Sequence, residues 1–404
     1  MIRGPVISIF ISVFFTISVF IPFLYIIFTQ AELSIEIILS SIIALAILIL
    51  HILFLFQSVM HQRQAYTMTY GLLLGIIASM VAGFGELSIN IPFLPSGSTT
   101  NLSLIIWSLT YFLIYLFFEE LYSDNFQSTR LFIASCFLGL SVFTQLTLSI
   151  SSGGLNDVLW YWADLGYGGL GILIFGFGIY VLYQSYKNVH RDKVQISQIT
   201  GLSFILLGFL ISFINDFSYF IDLAIGFNPN EFLEPFYGDL LKVVGILVFT
   251  STYIFEIDYL YRLPFPIHTI IVFNSKSGIC LNITNVQNVE SDKGIHVEEQ
   301  LITGTITAIM NLLNEGIGSK GVLKAIISSD QAIVVSSNPN ISIAVITERP
   351  TKVLRYSIEL ALKEFWKEYG DDIQHNKVIE TQKYKNFKEI ILKKAFPYLM
   401  LDKD

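Results

Sequence analysis

The sequence predicts an α-helical integral membrane bundle of about eight transmembrane helices followed by a smaller α/β domain, and three observations support this fold class. Long aliphatic and aromatic runs recur through residues 1–262, whereas residues 263–404 alternate short β-branched runs with amphipathic helices. The first part holds 8 Lys and Arg against 16 Asp and Glu, and the second part holds 16 of each, so the whole net charge of −8 lies in the first part. We therefore expect two structural units, residues 1–262 and residues 263–404.

The first part contains apolar runs of the length that crosses a bilayer as a helix, which is roughly 20 residues. The first run follows Arg3, but it is longer than the core of a signal peptide and no small-residue cleavage site follows it. The predicted spans are Val6–Phe28, Leu33–Phe56, Thr67–Leu87, Leu104–Leu121, Leu131–Ile150, Val158–Tyr183, Ile196–Phe217 and Tyr237–Ile257.

Basic residues near the ends of the spans predict the orientation, because Lys and Arg in short loops stay in the cytoplasm. With Met1 inside, every basic loop residue falls on the cytoplasmic side and acidic residues mark the opposite loops. The basic residues are Arg3, Arg63, Arg130, Lys187, Arg191, Lys193 and Arg262. An even number of spans then places both the N-terminus and residues 263–404 in the cytoplasm of a multi-pass cell-membrane protein.

Four charged residues in or beside the spans form a candidate pocket at the outer side of the membrane. They are Glu86, Asp164, Asp216 and Lys242, and several Trp and Tyr residues accompany them. Charges inside a membrane are costly and are by default functional, so one interpretation is a pocket for a small polar extracellular ligand or a cation. The alternative is a structural ion pair between Lys242 and an aspartate, covered by the aromatic residues that collect at membrane interfaces.

The sixth span is rich in glycine. Gly169 and Gly176, and likewise Gly171 and Gly178, recur at a spacing of seven residues. This spacing keeps one helix face small and predicts close packing against neighbouring helices.

Signatures of catalysis are missing from the sequence. The six histidines are scattered without the helical pairing of a metalloprotease, so we expect no metal site. The run Tyr237-Gly238-Asp239 lacks the first glycine of the Gly-x-Gly-Asp signature of intramembrane aspartyl proteases, and Lys242 follows an aspartate by three residues rather than the four of a retinal Schiff-base site. We predict a protein that is not an enzyme, needs no cofactor and has no nucleic-acid partner.

Residues 263–404 begin with the connector Leu263-Pro264-Phe265-Pro266, whose prolines end the last span. Turn residues and hydrophobic periodicity predict the succession β-β-α-β-β-β-α-α. The two opening strands flank the polar loop Asn274-Ser275-Lys276-Ser277-Gly278, which is typical of a hairpin. The predicted elements are strands at Thr269–Phe273 and Gly278–Thr284, a helix at Val297–Asn314, strands at Gly321–Ser328, Ala332–Ser336 and Ile341–Thr347, and helices at Thr351–Tyr369 and Thr381–Ala395.

This succession resembles the longin/roadblock superfamily of profilin-like domains, and particularly the longin order. The opening run Ile270–Leu281, the helix around Leu301–Ile309 and the strand end Ile346–Arg349 carry the resemblance. It implies a non-catalytic platform that binds Ras-like small GTPases or pairs with like domains through the first helix and a sheet edge. The residues predicted to form this partner face are Thr303, Thr307, Met310 and Asn314, because they lie off the stripe of Leu301, Ile302, Thr305, Ile309, Leu312 and Leu313.

Two functions from different classes follow from these features. The protein is expected to be a membrane-anchored platform for small-GTPase regulation in signalling or trafficking, or a receptor whose outer pocket changes which partners residues 263–404 bind. A transporter is a third alternative, which is disfavoured because the two halves of the bundle show no repeat.

Overall fold

The structure is a computed structural model, and it describes residues 66–86, 98–150, 157–188, 193–226, 235–255, 262–286, 299–312 and 323–375 together with 384, 387, 393–396 and 399. The chain divides into two compact units. The first contains the apolar helices, and the second contains the C-terminal sheet together with Glu120–Asn125 and Tyr183–Asp192, which sequence position alone assigns to the membrane region. The predicted spans Val6–Phe28 and Leu33–Phe56 lie outside the described residues.

The first unit is helical throughout its described part. Its helices are α1 (Tyr66–Glu86), α2 (Ser98–Tyr122), α3 (Ser128–Ile150), α4 (Asp157–Asn188), α5 (Lys193–Asp216), α6 (Ser218–Ile225) and α7 (Pro235–Phe255). Among the described residues, four stretches are long and apolar enough to cross a bilayer, namely Thr99–Tyr122, Ser128–Ile150, Leu159–Asn188 and Lys193–Asp216. The protein is therefore membrane-associated. The short helix α6 was not predicted.

Helices α5 and α7 pack backbone against backbone through two pairs of glycines. A Cβ atom placed on Gly208 would lie 2.5 Å from the carbonyl oxygen of Gly238, and one placed on Gly245 would lie 2.6 Å from the carbonyl oxygen of Gly201. These distances are too short for any side chain, so the close approach depends on glycine. The spacing of seven residues within each helix keeps both glycines on the same face.

The glycines of α4 serve different neighbours. Gly166 lies against the backbone of α3, where an added Cβ would be 2.8 Å from Cα of Ser141, and Gly171 lies against the ring of Phe209 in α5. Gly176 has no atom of a neighbouring residue within 4 Å of the Cβ position. Close packing, which the glycine spacing predicted, is therefore found at Gly171 but not at Gly176.

The second unit is built on a five-stranded antiparallel sheet with the strand order β2-β1-β5-β4-β3. The order of elements up to α9 agrees with the prediction, while the predicted helix Thr381–Ala395 falls largely outside the described residues. The elements are β1 (Ile267–Asn274), β2 (Cys280–Asn285), α8 (Glu299–Asn311), β3 (Ala325–Ile327), β4 (Ala332–Ser337), β5 (Ile341–Thr347), α9 (Lys352–His375) and α10 (Lys393–Ala395).

Both faces of the central strands are buried. On one face, Ile306 of α8 packs against Ile271 and Phe273 of β1. Because side chains alternate along a strand, Ile270 and its neighbours point to the opposite face, where α9 packs against β4 and β5. Helical spacing predicts one apolar stripe on α9, and five of its six residues are buried, namely Leu354, Ile358, Ala361, Leu362 and Phe365, while Trp366 is partly buried.

The loop between β1 and β2 forms the predicted hairpin. Oδ1 of Asn274 accepts hydrogen bonds from the backbone N–H groups of Lys276 and Ser277, each at 3.0 Å. Gly278 has φ of 71°, a left-handed conformation that glycine adopts without strain. The asparagine and the glycine of this loop therefore each perform the local role that their sequence positions indicated.

Candidate functional site

Three aspartates and one lysine come together near the end of α5 and near the beginnings of α4 and α7. Asp164 interacts electrostatically with Asp216, and Asp216 interacts with both Lys242 and Asp239. Asp216 and Asp239 are exposed, whereas Asp164 is partly buried. The structure thus brings together Asp164, Asp216 and Lys242 as one charged cluster, to which Asp239 also belongs.

Lys242 forms its ion pair with Asp239 of the same helix. Its Nζ donates a hydrogen bond to Asp239 Oδ1 at 2.9 Å and lies 5.0 Å from the centre of the Phe209 ring. The ion pair that the sequence allowed is therefore present, but its partner is neither Asp164 nor Asp216. From the sequence, Asp239 was considered only as part of a protease signature and of a retinal Schiff-base site, although its helical spacing of three residues from Lys242 favours this contact.

The fourth predicted residue, Glu86, is the last residue of α1. Its side chain lies outside the part of the chain that the structure describes, so the cluster is defined here without it.

An aromatic group borders the charged cluster. The ring of Phe209 lies 5.5 Å from that of Tyr111 and 5.7 Å from that of Tyr167, and the hydroxyls of the two tyrosines are 3.2 Å apart. Aromatic faces attract cations, as the position of Lys242 over Phe209 illustrates. Carboxylates beside aromatic rings are chemically suited to a small organic cation.

A second set of charges lies within the second unit, where Glu120–Asn125 meets the first turn of α9. Lys352 Nζ donates to Glu120 Oε1 at 2.7 Å, and the Arg355 guanidinium donates two hydrogen bonds to the Asp124 carboxylate, of which that from Nη2 is 2.7 Å long. The backbone N–H of Lys352 donates to the carbonyl oxygen of Ser123 at 3.2 Å. We call these five residues the α9 clamp.

The end of α2 and the beginning of α9 both carry charges of the sign that is unfavourable for the helix dipole. Glu119 and Glu120 lie in the last turn of α2, and Lys352 and Arg355 lie in the first turn of α9. Each such charge destabilises its own helix end by about 0.3–1 kcal/mol when it has no partner. Glu119 is neutralised by Arg130, whose Nε is 2.7 Å from Oε1, and the other charges are neutralised within the clamp. The unfavourable signs at both helix ends are the sequence signal that could have revealed the clamp.

The electrostatics of Lys352 reflect this pairing. Burial lowers the pKa of Lys352, but the hydrogen bond and the negative charge of Glu120 raise it, and the pKa ends above its ordinary value. Tyr356 acts on it in the same direction as Glu120. Lys352 is therefore charged over the whole physiological range.

The proline-containing connector is fixed within the same unit. Ser185 Oγ donates to the carbonyl oxygen of Leu263 at 3.3 Å, and Thr347 Oγ1 donates to that of Pro266 at 2.9 Å. The carbonyl groups of a connector that cannot form regular structure are thus satisfied by side chains.

The predicted partner face on α8 is wrong at the two positions that the structure describes. Thr303 is 0% exposed and Thr307 is 7% exposed, whereas Leu301 and Leu312 are each 65% exposed. The reason is the approach of α8 to the hairpin: Thr307 Oγ1 lies 3.1 Å from the position of a Cβ on Gly278, a gap that suits a threonine. The side chain of Met310 and all of Asn314 lie outside the described residues.

No protein-family model, no curated protein and no solved structure matches this chain. Within the described ranges, no group of three or more His, Cys, Asp or Glu side chains is arranged to hold a metal ion.

Proposed function

We propose that this protein is a multi-pass membrane protein whose C-terminal domain is a cytoplasmic binding platform of the longin/roadblock type. The observation that supports the proposal is the five-stranded antiparallel sheet in the order β-β-α-β-β-β-α, which follows helices of membrane-spanning length. In this proposal the bundle has eight spans, and the N-terminus and residues 263–404 share the cytoplasmic side. The resemblance implies that the partner is a Ras-like small GTPase or a second domain of the same kind.

The proposed contact surface on α8 is the face that points away from the sheet. Its exposed residues include Leu301, Gly304, Thr305, Ala308, Asn311 and Leu312. Two largely exposed leucines and four small or neutral residues form a face without charge. A helix face meant only for water usually carries charged side chains, so this composition favours a protein contact.

The test is capture of purified small GTPases by the full-length protein in lipid nanodiscs, with each GTPase loaded with GDP or with a non-hydrolysable GTP analogue. Ala308→Arg should abolish capture because it places a long charged side chain in the centre of the α8 face. Glu368→Arg is the control, since Glu368 is exposed on α9, which packs on the opposite face of the sheet from α8. Equal capture by the wild type and by Ala308→Arg, or no capture of any GTPase in either state, would refute this function.

A ligand-sensing receptor is the second candidate function, and the pairing of charges around α7 favours it. Lys242 forms its ion pair with Asp239. The positive charge of Lys242 therefore only partly offsets the negative charges of Asp164 and Asp216. Two carboxylates that repel each other next to aromatic rings attract a cation. In this proposal the ligand is a small organic cation that enters from outside the cell.

Choline, spermidine and Na⁺ are suitable probes for the receptor candidate in thermal unfolding of the full-length protein in nanodiscs. A cation that binds the cluster should raise the melting temperature, and Asp164→Asn combined with Asp216→Asn should remove this effect. Asp222→Asn is the control, because Asp222 is an exposed aspartate of α6 outside the cluster. Stabilisation that survives the double substitution would show that the cations act elsewhere.

A further inference from the structure

The second unit contains a cavity of about 580 Å³ beside the α9 clamp, and we infer that it is a binding site for a ligand that carries a phosphate group. The cavity lies where the end of β4 faces the first two turns of α9. Its volume is within the range of sites that bind small molecules, roughly 300–1,000 Å³. Its lining includes Lys324, Ser336, Lys352 and Arg355.

Three cationic side chains line the cavity. Lys324 is exposed and, among the described residues, makes no ion pair, so its charge is available to a ligand. Lys352 and Arg355 are held by the carboxylates of the clamp. Ser336, which shares the α9 face of β4 with Val334, adds a neutral hydroxyl donor. Arg, Lys and hydroxyl groups around one cavity match the several acceptor oxygens of a phosphate.

Two carboxylates also line the cavity, Asp124 and Glu359, and they decide which anions can bind. Asp124 already accepts two hydrogen bonds from Arg355, so an incoming anion must compete for the same guanidinium. A single carboxylate has no more charge than Asp124 and gains nothing from the exchange. A phosphate monoester carries a charge of about −1.5 to −2 at neutral pH, and it can therefore displace Asp124 while also attracting Lys324.

The rest of the wall is apolar. Val334 and Ile358 are buried residues that line the cavity between β4 and α9, whereas the Val335 side chain packs into the core on the α8 face. A ligand of this site would thus combine a phosphate with an apolar or ring-containing portion. A soluble phosphate ester and the headgroup of a phosphorylated lipid both have this chemistry.

The cations that would bind a phosphate, Lys352 and Arg355, are also the cations that form the ion pairs of the α9 clamp. A phosphate that takes the Nε and Nη2 edge of Arg355 displaces Asp124, because that edge can hold only one of the two anions, and Nη1 already donates to the carbonyl oxygen of Lys324 at 3.2 Å. Occupation of the cavity should therefore weaken the hold of α9 on Glu120–Asn125, including the hydrogen bond from the Lys352 N–H to the Ser123 carbonyl oxygen. Hydrogen exchange at the backbone amide of Lys352 therefore reports whether the cavity is occupied.

The experiment measures binding to the full-length protein in nanodiscs. In neutral lipid, inorganic phosphate, ATP and inositol hexakisphosphate are titrated as soluble probes, and in a second arm the nanodiscs contain phosphatidylinositol 4-phosphate. Lys324→Gln should weaken binding of the effective probe by about tenfold, because it removes one charge-assisted contact from an exposed position. Lys363→Gln, an exposed lysine of α9 outside the cavity wall, should leave it unchanged.

Saturable binding in the first arm identifies a soluble ligand, and binding confined to the second arm identifies a lipid headgroup. Amide hydrogen exchange at Lys352 should become faster on binding in the wild type and in Lys363→Gln. The inference is overturned if no probe binds saturably, if Lys324→Gln binds as well as the wild type, or if exchange at Lys352 does not change on binding.

Discussion

Lys352 and Glu120 are 232 residues apart in the sequence, yet Nζ of the lysine lies 2.7 Å from Oε1 of the glutamate. The Glu120 side chain is only 4% exposed, so its charge has little water to solvate it and depends on Lys352. This relationship leads to the first prediction.

Lys352→Met should lower the free energy of unfolding of the full-length protein by about 1–3 kcal/mol, because a buried carboxylate loses a charge-assisted hydrogen bond. Lys352→Arg should retain most of the stability. The measurement is a denaturant or thermal melt in detergent. Lys394→Met is the control, since the Lys394–Glu364 pair at 2.8 Å is more exposed and such surface pairs contribute about 0–1 kcal/mol. Equal losses in Lys352→Met and Lys394→Met would contradict the special dependence of Glu120 on its lysine.

Gly208→Ala should separate α5 from α7 and strongly reduce the melting temperature in detergent. The added Cβ would lie 2.5 Å from the Gly238 carbonyl oxygen, and backbone cannot move aside without breaking the helix contact. Gly176→Ala is the matched control, because its Cβ position is open and alanine favours a helix over glycine by about 1 kcal/mol. The expected order of stability is Gly176→Ala at or above wild type and Gly208→Ala well below it. A melting temperature of Gly208→Ala close to that of the wild type would show that the two helices pack less closely than described.

Thr307→Val should stabilise the second unit or leave it unchanged. The Thr307 hydroxyl oxygen is buried without a hydrogen-bond partner, and such a group costs about 1–3 kcal/mol that an isosteric methyl does not. Thr303→Val is the control, since Thr303 is buried but does have an interacting partner and should lose stability. Thr307→Arg, in contrast, should unfold the domain rather than only block a partner. Destabilisation by Thr307→Val equal to that by Thr303→Val would indicate that the Thr307 hydroxyl is satisfied.

His268 predicts a pH dependence of stability. Burial lowers the pKa of His268 below its ordinary value, and the charge of Glu348 opposes this effect without reversing it. Since the folded state binds the proton less tightly than the unfolded state, this residue lowers stability as the pH falls through about 6.5, and the loss levels off below the folded pKa. His268→Gln should remove this contribution. The test compares melting temperatures of the wild type and His268→Gln from about pH 8 to about pH 5.5, where the difference should shift in favour of the variant. Parallel curves would exclude the effect.

The sequence was sufficient for features whose signal is local or periodic. Leu354, Ile358 and Phe365 are buried as their helical spacing predicts, since a helix with one strongly apolar face has only one face to bury. The Asn274–Gly278 loop is likewise determined by its own residues, because an asparagine carboxamide and a left-handed glycine suffice to close the turn.

The facing of α8 was decided by tertiary structure. Large apolar residues and threonines occur on both of its faces, so helical periodicity does not decide which face is buried. Thr303 and Thr307 lie on the sheet side of the helix. The hairpin approaches this side closely, since a Cβ on Gly278 would lie 3.1 Å from Thr307 Oγ1, and this leaves room for small side chains only.

For the charged residues, the sequence indicated which ones matter, and the tertiary structure decided how they pair. The sequence identified Asp164, Asp216 and Lys242 because an apolar span makes each charge conspicuous, and their sequence positions put them at similar depth. It did not identify the partner of Lys242 or the α9 clamp. Which opposite charges meet depends on distances between atoms that are far apart in the chain, and only the fold brings Glu120 and Asp124 to the first turn of α9.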